Sequence, residues 1–469
     1  MKQLFVLFIL SLSAPFVKAN NVTTANIAIV GQNTTSHFSM VKFDIAWENS
    51  WRTVTNESNY DGCWVFVKYR KKNTYAWQHA TINYAAPGTA AACGHTAPAG
   101  SEIKTSADGK GIWIYRNAVG SGNVNFSGAE LRWNYGVDGL MDNDSVEIRL
   151  FAVEMVLVPQ GSFWLGSNGT ENYHFRRGDK DTCFKVTSEN AITVGSAANE
   201  LASISPGTLA NGTISATYPK GFNAFWCMKY EVSQQQYADF LNTIDAATAL
   251  ERMPTTFTTG AHPAYIPKFP ERAMDYLSVD DLLSLLDWSG LRPMTEFEFE
   301  KSCRGANQPP VPNEYAWGNT TADYVQTPSD FGMSTETWQT GNLAYNLATP
   351  IRCGALATSN STRESSGATY YGIMEMSGNV MEIVVSADAQ GRTFVPDHGD
   401  GYLSGLTKNY DVSGWYNANA GFYGNRGSSY NNSPSNYGHA SVSDRINYYI
   451  YYNTSRSSIQ GGRGVRTAE

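Results

Sequence analysis

The sequence predicts an N-terminal all-β sandwich followed by an α+β, loop-rich domain. Short apolar/polar alternations broken by Gly, Asn, Asp and Pro clusters fill the first third of the chain, the pattern of half-buried strands and turns. Helix-capping signals occur between Ser233 and Gly305. Gly, Asn, Ser and Tyr are abundant while charged residues make up only 16% of the chain, which favours loops and short strands over helical bundles. The 469 residues allow two or three domains with ample core.

Met1-Lys2-Gln3, the apolar run Leu4 to Val17 and the exit Val17-Lys18-Ala19 have the layout of a secretory signal. Residues 1–19 are therefore expected to be removed after Ala19, which makes the protein secreted or cell-surface. No later segment is apolar for long enough to be a transmembrane span. The net charge of -8, without a run of Lys or Arg, argues against a nucleic-acid partner. Export permits disulfides among Cys63, Cys93, Cys183, Cys227, Cys303 and Cys353. Cys63 with Cys93 is the most plausible pair, the other four pair in three ways, and buried free thiols are the alternative.

Residues 20–153 are expected to form the sandwich. Val41, Phe43, Ile45 and Trp47 alternate with Lys42, Asp44 and Ala46. Further strands are expected at Cys63 to Tyr69, Trp77 to Tyr84, Ile112 to Tyr115, Glu130 to Tyr135 and Val146 to Val153. Residues 154–469 form the second domain. Met155 to Ser167 reads as two short strands around a Pro and Gly turn, and the polar segment to about Thr217 as a long surface insertion. Ser233 with Gln236, and Thr295 with Glu298, are capping boxes, and a further helix starts at Ser278 and runs to Trp288. Tyr237, Phe240, Leu241 and Ile244 share one helical face. Glu296, Glu298 and Glu300 are read as acids favoured by the helix dipole rather than as an acid–base set, and Gly305 as a left-handed cap.

An ordered set of motifs follows. Met155-Val156-Leu157-Val158-Pro159 with Gly161-Ser162-Phe163, then Tyr230-Glu231-Val232-Ser233, Leu291-Arg292-Pro293-Met294-Thr295-Glu296, Tyr315-Ala316-Trp317-Gly318-Asn319, Gly372 to Glu382 and Gly461 to Arg466 resembles the formylglycine-generating enzyme family, also called the sulfatase-modifying factor family, from about Glu154 to Glu469. The resemblance implies an irregular C-type-lectin-like fold. It also implies a chemistry: the family's enzymes oxidise a substrate cysteine to formylglycine in sulfatases, with copper on two cysteines five residues apart, just after a Gly-Gly-Ser-Tyr-like segment. Thiolates suit Cu(I) because both are soft. That segment is Gly427-Ser428-Ser429-Tyr430 here, and the cysteine positions fall at Asn432 and Tyr437, whose amide and phenol cannot replace thiolates. No catalytic residue is assigned, and copper is not expected. The seven histidines show no metal spacing. By the same resemblance Asn379 and Glu382 imply a calcium site, with Asn342 contributing to another, since oxygen ligands suit that ion.

Of the 31 residues from Tyr430 to Gln460, 18 are Tyr, Asn or Ser, and Lys, Glu and Leu are absent. This composition resembles antibody paratopes, in which stiff Tyr and adaptable small polar residues make contacts at low entropy cost. Relatives of such domains serve as variable proteins of diversity-generating retroelements, where adenines of the final codons are rewritten and Asn codons become Tyr, Ser, Ile, His, Asp or Thr. The tract resembles such an output. The expected function is a secreted or surface-exposed ligand-binding protein gripping a protein or glycan with Tyr430, Asn432, Tyr437, His439, Asn447, Tyr448, Tyr449, Tyr451 and Asn453. Trp415, Tyr416 and Tyr423 extend that face. The alternative is a formylglycine-generating oxidase with an altered active site.

Overall fold

The structure, a computed structural model, describes residues 22–469 except 75, 206–207, 255–256, 327, 334, 339, 359, 405–408, 416–420, 434–437 and 451. The expected signal peptide, residues 1–19, lies outside the described residues. The chain opens with strands β1 (Thr23–Asn33), β2 (Phe38–Arg52), β3 (Asp61–Lys71) and β4 (Gln78–His79), helix α1 (Ala90–Cys93), then β5 (Ser101–Thr105), β6 (Ile112–Arg116), β7 (Gly120–Trp133) and β8 (Val146–Val158). The alternation in β2 is obeyed: Val41, Phe43, Ile45 and Trp47 are buried and Lys42 is exposed. They pack from the sheet β1-β2-β7 against Cys63, Val65, Val67 and Tyr69 of β3 and Ile112 and Ile114 of β6, so two sheets face each other across one core.

Two expectations fail in this region. The strand expected from Trp77 to Tyr84 is reduced to β4 and a bridge from Ile82 to Trp133. The Asp138 carboxylate takes the Thr81 amide at 3.0 Å and its hydroxyl at 2.6 Å, turning the segment onto a loop. Cys63 and Cys93 do not pair. Cys63 is buried on β3, whereas Cys93 closes α1 and its Sγ accepts the Ala85 amide at 3.3 Å. All six cysteines are free thiols.

After β8 come β9 (Phe163–Leu165), β10 (Phe175–Arg177), β11 (Phe184–Val186), β12 (Ile192–Val194), β13 (Leu201–Ser203), β14 (Gly212–Ile214) and β15 (Phe225–Met228). The stretch expected as a surface insertion thus builds a small sheet, β10-β13-β12-β14. It sends Phe175, Val194, Leu201 and Ile214 into the main core. Strands of three residues present one or two inward side chains each, too few to register as a period.

Next are α2 (Gln234–Leu241), α3 (Ala246–Arg252), β16 (Thr258–Thr259), β17 (Ile266–Pro267), α4 (Val279–Trp288), β18 (Arg292–Pro293), α5 (Glu296–Arg304), β19 (Pro328–Ser329), β20 (Thr337–Trp338), β21 (Met381–Val385), β22 (Tyr423–Arg426), β23 (Gln460–Gly461) and β24 (Gly464–Thr467). Ser233, Ser278 and Thr295 cap α2, α4 and α5 with reciprocal capping boxes. Gly305 ends α5 at φ 92 and ψ 163, an extended turn rather than the left-handed cap expected. A Cβ there would lie 2.4 Å from the Tyr370 ring, so close packing also demands glycine. No helix among the described residues is long and apolar enough to cross a membrane.

The expected divide between residues 153 and 154 falls inside β8. That strand pairs with β3 from Val146 to Val156, and its last four residues also pair with β15. One eight-stranded sheet, β18-β24-β15-β8-β3-β6-β5 with β4 beside β3, therefore runs from the N-terminal strands to the end of the chain. Its centre is covered on both sides, which explains why β3 reads as a continuous apolar run. Cys63, Val65 and Val67 face the N-terminal sheet, while Trp64 and Phe66 face the helices. Aromatic rings fill that second face: Trp113 stacks on Trp226 at 4.2 Å, Phe66 meets Trp288 edge-on at 5.1 Å, and the Trp64 indole donates to the Ser289 carbonyl at 2.8 Å. Trp226→Ala is expected to cost about 3–5 kcal/mol. Because the sheet is shared, the urea midpoints read by tryptophan fluorescence and by far-ultraviolet circular dichroism are expected to fall together.

Candidate ligand-binding face and the charge network beneath it

Helix α5 begins the network. Its capping box orients the first turn, and Glu296, Glu298 and Glu300 all lie buried. Buried carboxylates need partners, and each has an arginine. Arg292 clasps Glu298 at 2.6 and 2.9 Å. Arg445 clasps Glu296 at 2.9 and 3.0 Å, Arg426 bridges Glu296 at 3.1 Å and Glu300 at 2.9 Å, and Arg304 meets Glu300 at 3.0 Å and also Glu314. Burial pushes the Glu296 carboxyl upward, but Arg445 and Arg426 outweigh it and hold the group below the usual carboxylate range. The helix-dipole reading thus accounts for only part of why these acids are there.

The same arginines anchor the Tyr- and Asn-rich tract. Arg426 donates to the Val442 carbonyl at 2.6 Å, Arg304 to the Ser443 hydroxyl at 2.9 Å, and Arg445 belongs to the tract itself. Ala440 to Arg445 is consequently buried. The chain then runs beside β22, with the Asn425 amide donating to the Asn447 carbonyl at 2.7 Å and the Ile450 amide to the Tyr423 carbonyl at 2.8 Å. Along this stretch Asn447, Tyr448 and Tyr449 are half-buried, Ile450 is buried, Tyr452 is 70% exposed and Asn453 is half-buried. Tyr448 packs edge-on against Tyr173 and Tyr449, leaving a partly exposed aromatic cluster. His439 is half-buried at the start of the tract. Tyr416, Tyr437 and Tyr451 lie outside the described residues.

Three aromatic residues expected on the face belong to the core instead. Tyr430 is 3% exposed, packed with Tyr230, Cys353 and Met374, and its hydroxyl donates to the Ser458 carbonyl at 3.1 Å. Trp415 and Tyr423 are buried, and the Tyr423 hydroxyl donates to the Trp415 carbonyl at 2.7 Å. Residue type alone hid this, because a phenol with a carbonyl to donate to is as suited to a core as to a surface.

At the first cysteine position expected from the resemblance, Asn432 is half-buried and its amide donates to the Ser428 hydroxyl. Gly427 beside it has φ 81, and a Cβ there would lie 2.5 Å from Glu382 Oε2. The thiols of Cys63, Cys303 and Cys353 are pushed well up by burial, Cys183 to about 11 and Cys227 to about 12. A thiol so shifted stays protonated at neutral pH.

Of the residues expected to bind calcium, Asn379 and Asn342 have their side-chain oxygens engaged within the protein, while Glu382 has one carboxylate oxygen engaged and one without a partner. Asn379 Oδ1 accepts the Ile351 amide at 2.9 Å, its backbone carbonyl accepts the Tyr430 amide at 2.6 Å, and its Nδ2 donates to Glu231. Asn342 Oδ1 accepts the Asp323 amide at 2.9 Å. Glu382 Oε1 is held by Arg463 at 2.8 and 3.2 Å. Glu375 Oε2, like Glu382 Oε2, is buried without a hydrogen-bond partner. What the motifs build is a second charge cluster, in which Arg463 also donates to the Met374 carbonyl at 2.9 Å. Burial raises Glu231 well above the usual range and Glu375 and Glu382 to about 7.

The sequence reading missed an acidic group formed by Asp287, Asp400 and Asp411, 113 and 124 residues apart in pairing with Asp287. Both Asp287 oxygens are spent on the backbone amides of Asp400 and Asp411, each at 3.0 Å, so the group staples two loops to α4. Nothing in the local sequence around Asp287 signals this.

A loop-rich, mostly β domain whose last strand returns between β15 and β18, tied by buried arginine–glutamate pairs, defines a scaffold class. Residues 147–468, more than half of the chain, match the family model for a sulfatase-modifying factor enzyme 1-like domain. The chain belongs to this formylglycine-generating-enzyme family, and N-terminal β-sheets precede the family domain. No curated protein matches the chain.

Arg426→Met leaves Glu296 and Glu300 short of a buried partner and is expected to cost about 3–5 kcal/mol, measured as a fall in the urea midpoint. A second expectation concerns pH. The folded carboxyls of Glu375 and Glu382 titrate at about 7, whereas unfolded glutamate titrates at about 4.3. Between those values the folded chain binds more protons, so this contribution is complete below about pH 4.3 and is lost as the pH rises through about 7. Glu375→Gln is expected to flatten that fall, seen by comparing urea midpoints of the variant and the parent at about pH 5 and about pH 8.

Proposed function

We propose that this protein is a secreted or surface-exposed binding protein, a C-type-lectin-like member of the family that presents the region 430–460 to a protein or glycan and performs no copper oxidation. The observation that carries this reading is Asn432, an amide bonded to Ser428 where the family's copper chemistry calls for a thiolate. The N-terminal strands act as a rigid stem for the binding face, because β8 belongs to both regions.

The pattern of burial along the tract favours a diversified origin. The half-buried or exposed positions Ile446 to Tyr449, Tyr452 and Asn453 are the residue types that adenine rewriting of Asn codons yields. Val442-Ser443-Asp444-Arg445 and Gly461 to Arg466, which carry the charge network and the closing strand, are almost entirely buried. Variation confined to outward side chains leaves the fold untouched. The tyrosines that remain partly exposed are suited to be anchors, since Tyr offers area at low entropy cost.

The test uses the mature protein on glycan and surface-protein arrays, together with a copper-supplemented assay of a cysteine-containing sulfatase peptide. Saturable binding is expected. Tyr452→Ala, at the 70% exposed position, is expected to weaken it by about ten-fold or more with the urea midpoint unchanged. Formylglycine turnover would overturn the reading and favour the oxidase alternative. N-terminal sequencing of exported protein is expected to begin at Asn20.

A further inference from the structure

A cavity of about 830 Å³ lies where β8, α2, the loop 263–272 and residues Gly332, Met333 and Glu336 meet. That is the volume of a small-molecule site. It is remote in sequence from the region 430–460, none of whose described residues line it. Leu150 and Phe151 of β8 and Pro267 give it an apolar wall.

Most of the charge around it is already spent. Glu336 accepts the Gly332 amide at 2.7 Å, the Arg352 amide at 3.0 Å and the Trp338 indole at 3.0 Å. Arg352 donates back to the Glu336 carbonyl at 3.0 and 3.2 Å. Asp239 accepts from Gln235 at 3.0 Å, and Arg149 lies over the Trp77 ring at 4.8 Å. Two neighbours are different. Arg272 and Glu271 are each 5% exposed, and Arg272 Nε and Nη2 and Glu271 Oε2 have no hydrogen-bond partner. A buried polar group left unsatisfied calls for a ligand, an ion or a water.

Arg272 is pre-set for such a ligand. Its guanidinium carbon lies over the Phe269 ring at 4.0 Å and over the Phe331 ring at 4.7 Å, contacts that restrain the group. Nε and Nη2 form the edge that takes a planar carboxylate through two parallel bonds. That edge is covered by the loop around Gly332, where a Cβ would lie 3.2 Å from Nη2, and the adjoining Phe331 and Met333 are 47% and 64% exposed.

We propose that this cavity binds a small organic carboxylate, whose oxygens take the Nε and Nη2 edge of Arg272 as the loop 331–333 is displaced and whose apolar body lies against Leu150, Phe151 and Pro267. Glu271 supports the anion. Burial raises its carboxyl to about 7, with Arg352 lowering and Glu336 raising it, so in mildly acid solution it is protonated and donates instead of repelling. Arg149 and the exposed Lys268 add positive charge to the same lining, and Asp239 is the remaining acid.

The test titrates the full mature protein with benzoate and with hexanoate by calorimetry, with benzamide as the uncharged isostere. Saturable carboxylate binding is expected. Arg272→Gln and Arg272→Lys are each expected to weaken it by about ten-fold or more, since neither replacement offers the fork. Affinity is expected to fall between about pH 6 and about pH 8 in the parent and not in Glu271→Gln. Arg272→Lys keeps the charge, so its thermal melt guards against a folding defect in the glutamine variant. The proposal is overturned if neither carboxylate binds the parent, if benzamide binds as tightly as benzoate, or if Arg272→Lys binds as the parent does.

Discussion

The domain depends on burying guanidinium and carboxylate groups together. Glu296 and Glu300 stand one helical turn apart on α5; Arg304 meets Glu300 from the next turn of the same helix, and Arg426 and Arg445 reach the pair from more than a hundred residues away. A loop-rich fold has few long ladders of backbone hydrogen bonds to set its loops in place, and burial of apolar surface is non-directional. Forked arginines meeting carboxylates are directional and intolerant of misplacement. Each pair gains little net stability over an apolar substitute, yet breaking one strands a buried charge. That asymmetry suits a scaffold whose loops must sit in one arrangement.

The second cluster serves the closing strand in the same way. Arg463 meets Glu382 of β21 and the carbonyls of Met228, Lys229 and Met374, so it joins β15, β21 and the chain end. The glycines around it answer a packing demand: a Cβ at Gly461 would lie 2.4 Å from Val380, and one at Gly464 would lie 2.5 Å from Leu286. The family motifs that resemble an ion site in sequence are, in space, the parts of this tie. Their carboxyls are raised by burial.

A scaffold held this way separates what holds the domain from the side chains it leaves exposed. The tract touches the network through its first buried residues and then follows β22, so its partly exposed tyrosines and asparagines contribute little to what holds the domain. Residues in the tract that point inward are under the opposite constraint. Tyr430 and Arg445 resemble their neighbours in composition, yet each is buried with defined hydrogen-bond partners.

Local signals in the sequence were sufficient for what local physics controls. The alternation of β2, the capping boxes of α2 and α5, the start of α4 at Ser278 and the order of the family motifs all depend on neighbours within a few residues, and each stands where it was read. Which tyrosines face outward, which acids meet which arginines, the continuity of β8 through Glu154, the short strands between Phe175 and Ile214 and the cavity beside Arg272 depended on tertiary structure. In each of these the partners are tens to hundreds of residues apart, and burial and pairing at such distance are properties of the packed chain that no local window of sequence contains.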